Sequence, residues 1–192
     1  MKNIFAKTLT SAAASVAIAT GANNPAQAIK LNFNWQGDAG YSATGSFSYD
    51  ETTAPTIISE TGSGATNFLQ FLNVSFLDPS KNLLGTYNTV SGGVSQSSFF
   101  AFNFDTSTQT LFSPLNVAGG TGVIGEYFFQ GTVGDSLQLR QDVDQQGTST
   151  TLDQNSGSIQ VSQVPEPASL LGLLAFAGLG VASTLRKKQA SC

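Results

Sequence analysis

From residue 29 onward, apolar and polar positions alternate in short runs separated by Gly, Ser, Asn and Asp, the period of a half-buried β-strand. Ile29, Leu31, Phe33 and Trp35 fall on one face, with Lys30, Asn32 and Asn34 between them. After Gln36-Gly37-Asp38-Ala39-Gly40 the pattern returns in Tyr41, Ala43, Gly45, Phe47 and Tyr49, which predicts a hairpin. Phe100, Phe102 and Phe104 make another strand, which Asp105-Thr106-Ser107-Thr108 turns into a partner over residues 110–112. Residues 123–133 and 136–143 read as a further pair around Gly134-Asp135.

One segment is open to two readings. Over residues 67–77, Phe68, Leu69, Phe71, Leu72, Val74 and Phe76 fit either a buried strand or a short helix, and Asp78-Pro79 stops both. Neighbouring strands favour the strand. The whole predicts an all-β domain over residues 29–161, an antiparallel β-sandwich or jelly-roll-like fold with Phe-rich inner faces and no internal repeat. Residues 162–167 form a linker.

Composition sharpens this picture. The 192-residue chain is 40% hydrophobic but only 10% charged, so uncharged polar residues do most of the solvating. Residues 29–161 hold eleven carboxylates against Lys30, Lys81 and Arg140, a net charge of −8, which leaves no electrostatic footprint for nucleic acid. The chain has no histidine, and its one cysteine is Cys192. Soft-metal sites, thiol catalysis, a His-based triad and an intrachain disulfide are therefore excluded from the body, and no cofactor is expected.

The two ends differ from the middle. Residues 1–28 carry a basic start (Lys2, Lys7), an apolar stretch, and Ala26-Gln27-Ala28 after Pro25, the anatomy of a secretory signal peptide with a small-x-small cleavage site at Ala26 and Ala28. Ile29 is the expected mature start. Residues 168–185 contain no charge, and as a helix they extend about 27 Å, enough for a thin hydrocarbon core. Arg186, Lys187 and Lys188 follow at once, so residues 186–192 are a basic tail that the positive-inside rule assigns to the cytoplasm, with the body outside. Pro165-Glu166-Pro167 keeps that helix from running back into the body.

The order Val164-Pro165-Glu166-Pro167, apolar span, Arg186-Lys187-Lys188 resembles the PEP-CTERM sorting signal of Gram-negative and cyanobacterial envelope proteins. The resemblance covers about the last thirty residues. It implies that the Pro-Glu-Pro tripeptide is the recognition site of an exosortase-type transpeptidase. It also implies a route through the secretion machinery and signal peptidase, a membrane stage held by the C-terminal helix, and an association with exopolysaccharide or biofilm matrix.

Candidate chemistry in the body is sparse. Asp142-Val143-Asp144-Gln145-Gln146-Gly147, with Asp153 at the twelfth position, overlaps a calcium loop whose alternating oxygens wrap a hard cation. Gln146 and Asp153 depart from its usual ligands and no flanking helices are signalled, so a solvated inter-strand loop is the favoured reading. Asp105-Thr106-Ser107 is like an aspartic-protease triplet but has Ser where that motif needs Gly, and a turn explains it better. Asn73-Val74-Ser75 fits a glycosylation acceptor but lies in an apolar segment. Trp35, Tyr41 and Tyr127 are candidates for stacking on sugars, although aromatics at alternating positions are more often core.

The expectation is an exported envelope or extracellular-matrix protein with a non-catalytic β domain, inner-membrane anchored with its body in the periplasm and then passed to the envelope or outside. The rival is a secreted carbohydrate-binding module or a glycosidase working through an Asp/Glu pair.

Overall fold

A computed structural model describes residues 28–119, 121–155 and 159–164. Its strands are β1 (Ala28–Gln36), β2 (Ser42–Asp50), β3 (Ile57–Thr61), β4 (Gly64–Ala65), β5 (Leu69–Leu77), β6 (Leu83–Ser91) and β7 (Val94–Ser95). They continue as β8 (Ala101–Asp105), β9 (Thr110–Ala118), β10 (Tyr127–Gly131), β11 (Leu137–Asp142), β12 (Ser149–Asn155) and β13 (Gln160–Gln163). There is no helix among the described residues. The described residues are all β, in two antiparallel sheets.

The seven-stranded sheet runs β13-β1-β2-β5-β6-β7-β4 and the six-stranded sheet β12-β11-β10-β9-β8-β3. Hairpins β1–β2 and β5–β6 dominate the first, and an unbroken meander from β8 to β12 makes the second. Each sheet also receives a strand from across the molecule. β3 follows β2 but pairs with β8, and β13 follows β12 but pairs with β1.

The expected first hairpin is present over nine register pairs from Ala28↔Asp50 to Gln36↔Ser42. Toward its turn, inward residues pair large against small. Trp35 lies opposite Ala43 and Phe33 opposite Gly45, where an added Cβ would stand 2.2 Å from the Phe33 ring. Gly45 thus leaves the room that the Phe33 ring fills.

The buried faces of the sheets meet through aromatic rings. Phe47 stands edge-on to Phe102 (5.1 Å between centroids) and Phe104 (4.9 Å), while Phe129 takes Trp35 and Phe76 at 5.0 Å each. These perpendicular contacts suit the ring quadrupole, and they make the fold sandwich-like. Two polar ties join the sheets as well: Tyr127 N–H donates to Tyr87 Oη (2.8 Å) and Ala118 N–H to Thr89 Oγ1 (2.9 Å).

Several expectations are corrected in detail. Residues 67–77, ambiguous in sequence, form strand β5 from Leu69 onward. The strand expected over residues 123–133 is shorter, because residues 123–126 belong to a loop in which Gly125 has a positive φ. The Gly134-Asp135 turn is wider than two residues, with Asp135 and Ser136 N–H both donating to Thr132 O. The partner strand expected over residues 110–112 continues to Ala118 through Pro114. A proline is tolerated there because the β8–β9 register shifts between Ala101 and Asn103, and Asn103 Nδ2 donates to Pro114 O (2.8 Å) in place of a ladder bond. Ser162 and Gln163, assigned to the linker, lie in β13, and Val164 N–H still bonds to Lys30 O (3.0 Å).

Candidate functional site

Two Phe-Phe doublets shape the most distinctive surface of the body. In β10 neighbouring side chains point to opposite faces, so the doublet that buries Phe129 turns Phe128 outward, whereas Phe99-Phe100 sits in the turn before β8. Phe100 is buried, and Phe99 before it is 65% exposed. Phe129 packs between the sheets, and Phe128 lies on the outer face of the six-stranded sheet, where it is only 6% exposed because walls rise around it.

Those walls are three loops. The segment bearing Phe99 leads into β8, residues 119–126 join β9 to β10, and residues 143–148 join β11 to β12. Between them a groove of about 620 Å³ opens over Phe128, Asn116, Gln130 and Arg140, flanked by Thr121, Gln146 and Asp142. The second loop is held to the end of β11 by Gly125 N–H to Asp142 O (2.8 Å) and Asp142 N–H to Glu126 O (2.9 Å). Glu126 Oε2 accepts from Thr121 N–H (2.9 Å) and Oγ1 (2.7 Å), closing the same loop on itself.

Two ionisable groups, Arg140 and Asp142, line the groove. Arg140 donates from Nη1 to Gln130 Oε1 (2.5 Å) and from Nη2 to Ser149 O (3.3 Å). Its Nε is buried without a partner among the described residues, an arrangement that costs ~1–3 kcal/mol and that pure stability does not favour. Asp142 accepts from Gly122 N–H (3.3 Å). Burial raises the Asp142 carboxyl above its ordinary value; the Gly122 bond opposes this, and the charges of Glu126 and Asp144 add to it.

The three aspartates of the calcium-like loop have separate tasks. Asp144 caps its own turn, accepting from Gln146 and Thr148 N–H, both at 2.9 Å. Asp153 points inward from β12 and accepts from Ala39 N–H (2.9 Å) and Tyr41 N–H (3.0 Å) in the β1–β2 loop. It pairs in register with Leu139, three residues along β11 from Asp142. Among the described residues no three acidic, Cys or His side chains gather as a metal site.

Asp105 is likewise a turn cap, bonding Ser107 N–H (2.8 Å), Ser107 Oγ (2.6 Å) and Thr108 N–H (3.1 Å). Trp35 is core, and Tyr41 and Tyr127 are half-buried. Phe99, Phe128 and Arg140 were not singled out by the sequence reading. The signal that would have found Phe128 is its doublet, because the alternation along β10 that buries Phe129 leaves Phe128 on the outer face, while Phe99 sits in a turn that periodicity does not read.

Titration sorts these carboxylates into two kinds. Hydrogen bonds from the hydroxyls of Thr52, Ser107 and Thr148 and from the side-chain amide of Asn82 hold Asp50, Asp105, Asp144 and Asp78 below the ordinary range. Their stabilisation is full above the ordinary carboxylate pKa and is lost as pH falls through the lowered values. Asp142 has the opposite sign, since its ionised form is penalised in the fold and the penalty is relieved as pH falls through the raised value. Asp142→Asn, which keeps an acceptor for Gly122, is therefore expected to raise the melting temperature near about pH 7 and to leave it unchanged near about pH 3. Thermal melts of both proteins at the two pH values check it, and an equal gain at both would refute the assignment.

At the C-terminal end the structure reaches Val164, bonded to β1. Pro165, Glu166, Pro167, the apolar segment 168–185 and Arg186, Lys187 and Lys188 lie outside the described residues, as does Ala26; Ala28 opens β1. Among the described residues no helix is long and apolar enough to cross a membrane. No curated protein and no solved structure matches the chain. A family model does: residues 163–188, beginning at the last residue of β13, match the PEP-CTERM protein-sorting motif, so the chain carries the signal of an exported, membrane-associated envelope protein sorted by exosortase.

Proposed function

We propose that the body is a non-catalytic envelope or extracellular-matrix domain, exported behind a signal peptide cleaved after Ala28 and held transiently by residues 168–185. In this reading Arg186, Lys187 and Lys188 stay in the cytoplasm, and exosortase acts at Pro165-Glu166-Pro167 to release or transfer the body. The observation that carries it is the motif match over residues 163–188, which begins at the last residue of β13. A non-catalytic body is supported by two of its three buried carboxylates, Glu60 and Asp153, which backbone N–H groups occupy; the third, Asp142, faces the groove. Glu60 accepts from Phe68 N–H (2.7 Å), Asn67 N–H (3.0 Å) and Leu69 N–H (3.3 Å), and Asp153 is engaged by Ala39 and Tyr41. A general acid or base must instead offer its carboxyl to substrate.

Intact-mass measurement of the protein from membrane and medium fractions tests this. Released protein is expected to begin at Ile29 and to end between Val164 and Pro167. Replacing Pro165, Glu166 and Pro167 together by Ala is expected to abolish release and leave the protein in the membrane. Retention of Cys192 in every fraction, or release unaffected by the triple substitution, would overturn the reading.

A further inference from the structure

We propose that the groove on the outer face of the six-stranded sheet binds a neutral oligosaccharide, with Phe99 stacking on a sugar ring and Arg140 and Asp142 engaging its hydroxyls. The outer face of a sheet ordinarily alternates solvated side chains and presents no concavity. Here three loops enclose about 620 Å³, within the range of ~300–1,000 Å³ for ligand clefts. Phe99 is 65% exposed on its wall, an apolar ring left in water where a flat C–H surface can cover it. A pyranose has that surface on one side and hydroxyls around its edge.

The polar lining suits hydroxyls. Each hydroxyl both donates and accepts, and so do the side-chain amides of Asn116, Gln130 and Gln146. Arg140 supplies donors only, two of its five N–H groups being spent on Gln130 and Ser149. Asp142, when ionised, only accepts, and its contact with Gly122 leaves lone pairs free. One fixed donor and one fixed acceptor on the same wall match a pair of adjacent hydroxyls, one accepting and one donating.

The same lining disfavours other ligands. A phosphate or nucleotide meets one cation beside Asp142 on a body of net charge −8. A lipid chain would desolvate the Asn116 amide and the N–H groups of Arg140 not spent on Gln130 and Ser149 without offering them a partner. An added peptide strand needs a sheet edge, whereas the groove lies over β9, β10 and β11, which are interior to the sheet.

The full chain in detergent, titrated calorimetrically with cello-, laminari-, xylo-, manno- and maltohexaose and with hexagalacturonate, tests the proposal. At least one neutral hexasaccharide is expected to bind with one site per chain. Phe99→Ala, a surface change that spares the melting temperature, and Arg140→Gln are each expected to weaken binding by about tenfold or more. Leu83→Ala, equally exposed on the other sheet, is expected to leave it unchanged. Binding of no neutral hexasaccharide, binding of hexagalacturonate alone, or affinity indifferent to both groove substitutions overturns the proposal. None of these readings depends on whether the tail is cleaved.

Discussion

Phe47→Ala is expected to cost the body about 3–5 kcal/mol, the largest loss of any single truncation considered. Phe47 is fully buried on β2 and, with Tyr49, carries that strand onto the opposite sheet, standing edge-on to both Phe102 and Phe104 and 6.4 Å from Phe33. Truncation removes the ring's burial and also leaves a cavity between two sheets that are each held rigid by their ladders, so the space cannot close. Denaturant unfolding should show the midpoint falling with the slope unchanged. A loss below about 1 kcal/mol would mean that the two sheets do not meet through this layer. Phe47→Leu, which fills most of the volume, should recover more than half of the loss.

Glu60→Ala is expected to cost about 3 kcal/mol, by a different mechanism. Glu60 is 3% exposed on β3, an edge strand of the six-stranded sheet, and its carboxylate reaches the start of β5 in the other sheet, where it receives the N–H groups of Asn67, Phe68 and Leu69 and the amide of Asn67. Removing it leaves inward-facing backbone donors with no acceptor, since Leu69 is itself buried. Glu60→Gln keeps one acceptor but turns a second N–H group toward existing donors, so it should lose an intermediate amount. Ranking alanine, glutamine and wild type by chemical denaturation checks the order, and indistinguishable stabilities would refute the role. Asp153 does the matching work at the other edge, from β12 to the β1–β2 loop. Inward carboxylates on both edges of one sheet also discourage a further strand from joining it, because the strand would bury them more deeply.

The strands that were legible in the sequence are those with one face in the core and one in water. β1 and β2 alternate cleanly because the seven-stranded sheet exposes its outer surface, and Phe102 and Phe104 stood out because their spacing admits only one face. β6 was illegible for the opposite reason. Its middle is Gly85, Thr86, Tyr87 and Asn88, it bends through two register shifts, and it buries only Thr89 and Val90. β3, β12 and β13 are edge strands whose inward positions include Glu60 and Asp153, so hydrophobicity does not mark them. Asp153 resembled a calcium ligand through its twelfth position in the Asp142 loop, because two of its backbone donors, Ala39 and Tyr41, lie 114 and 112 residues away and leave no local mark. The groove was hidden because it is assembled from three loops and the outer face of a sheet, elements that periodicity treats as solvent.

β13 has a mechanical meaning. It is held by four register pairs to β1 and by the Val164 bond beyond them, it exposes most of its side chains, and it continues directly into the sorting motif. A pull on Val164 directed away from the sheet edge would open that ladder from its outer end, one pair after another. Peeling the four residues pays out about 13 Å of slack. It stops at Ile159, which is 5% exposed and sits in the core. If the body is held by residues 168–185 as proposed, peeling β13 would lengthen its leash while the fold stays intact, with Ile159 as the knot.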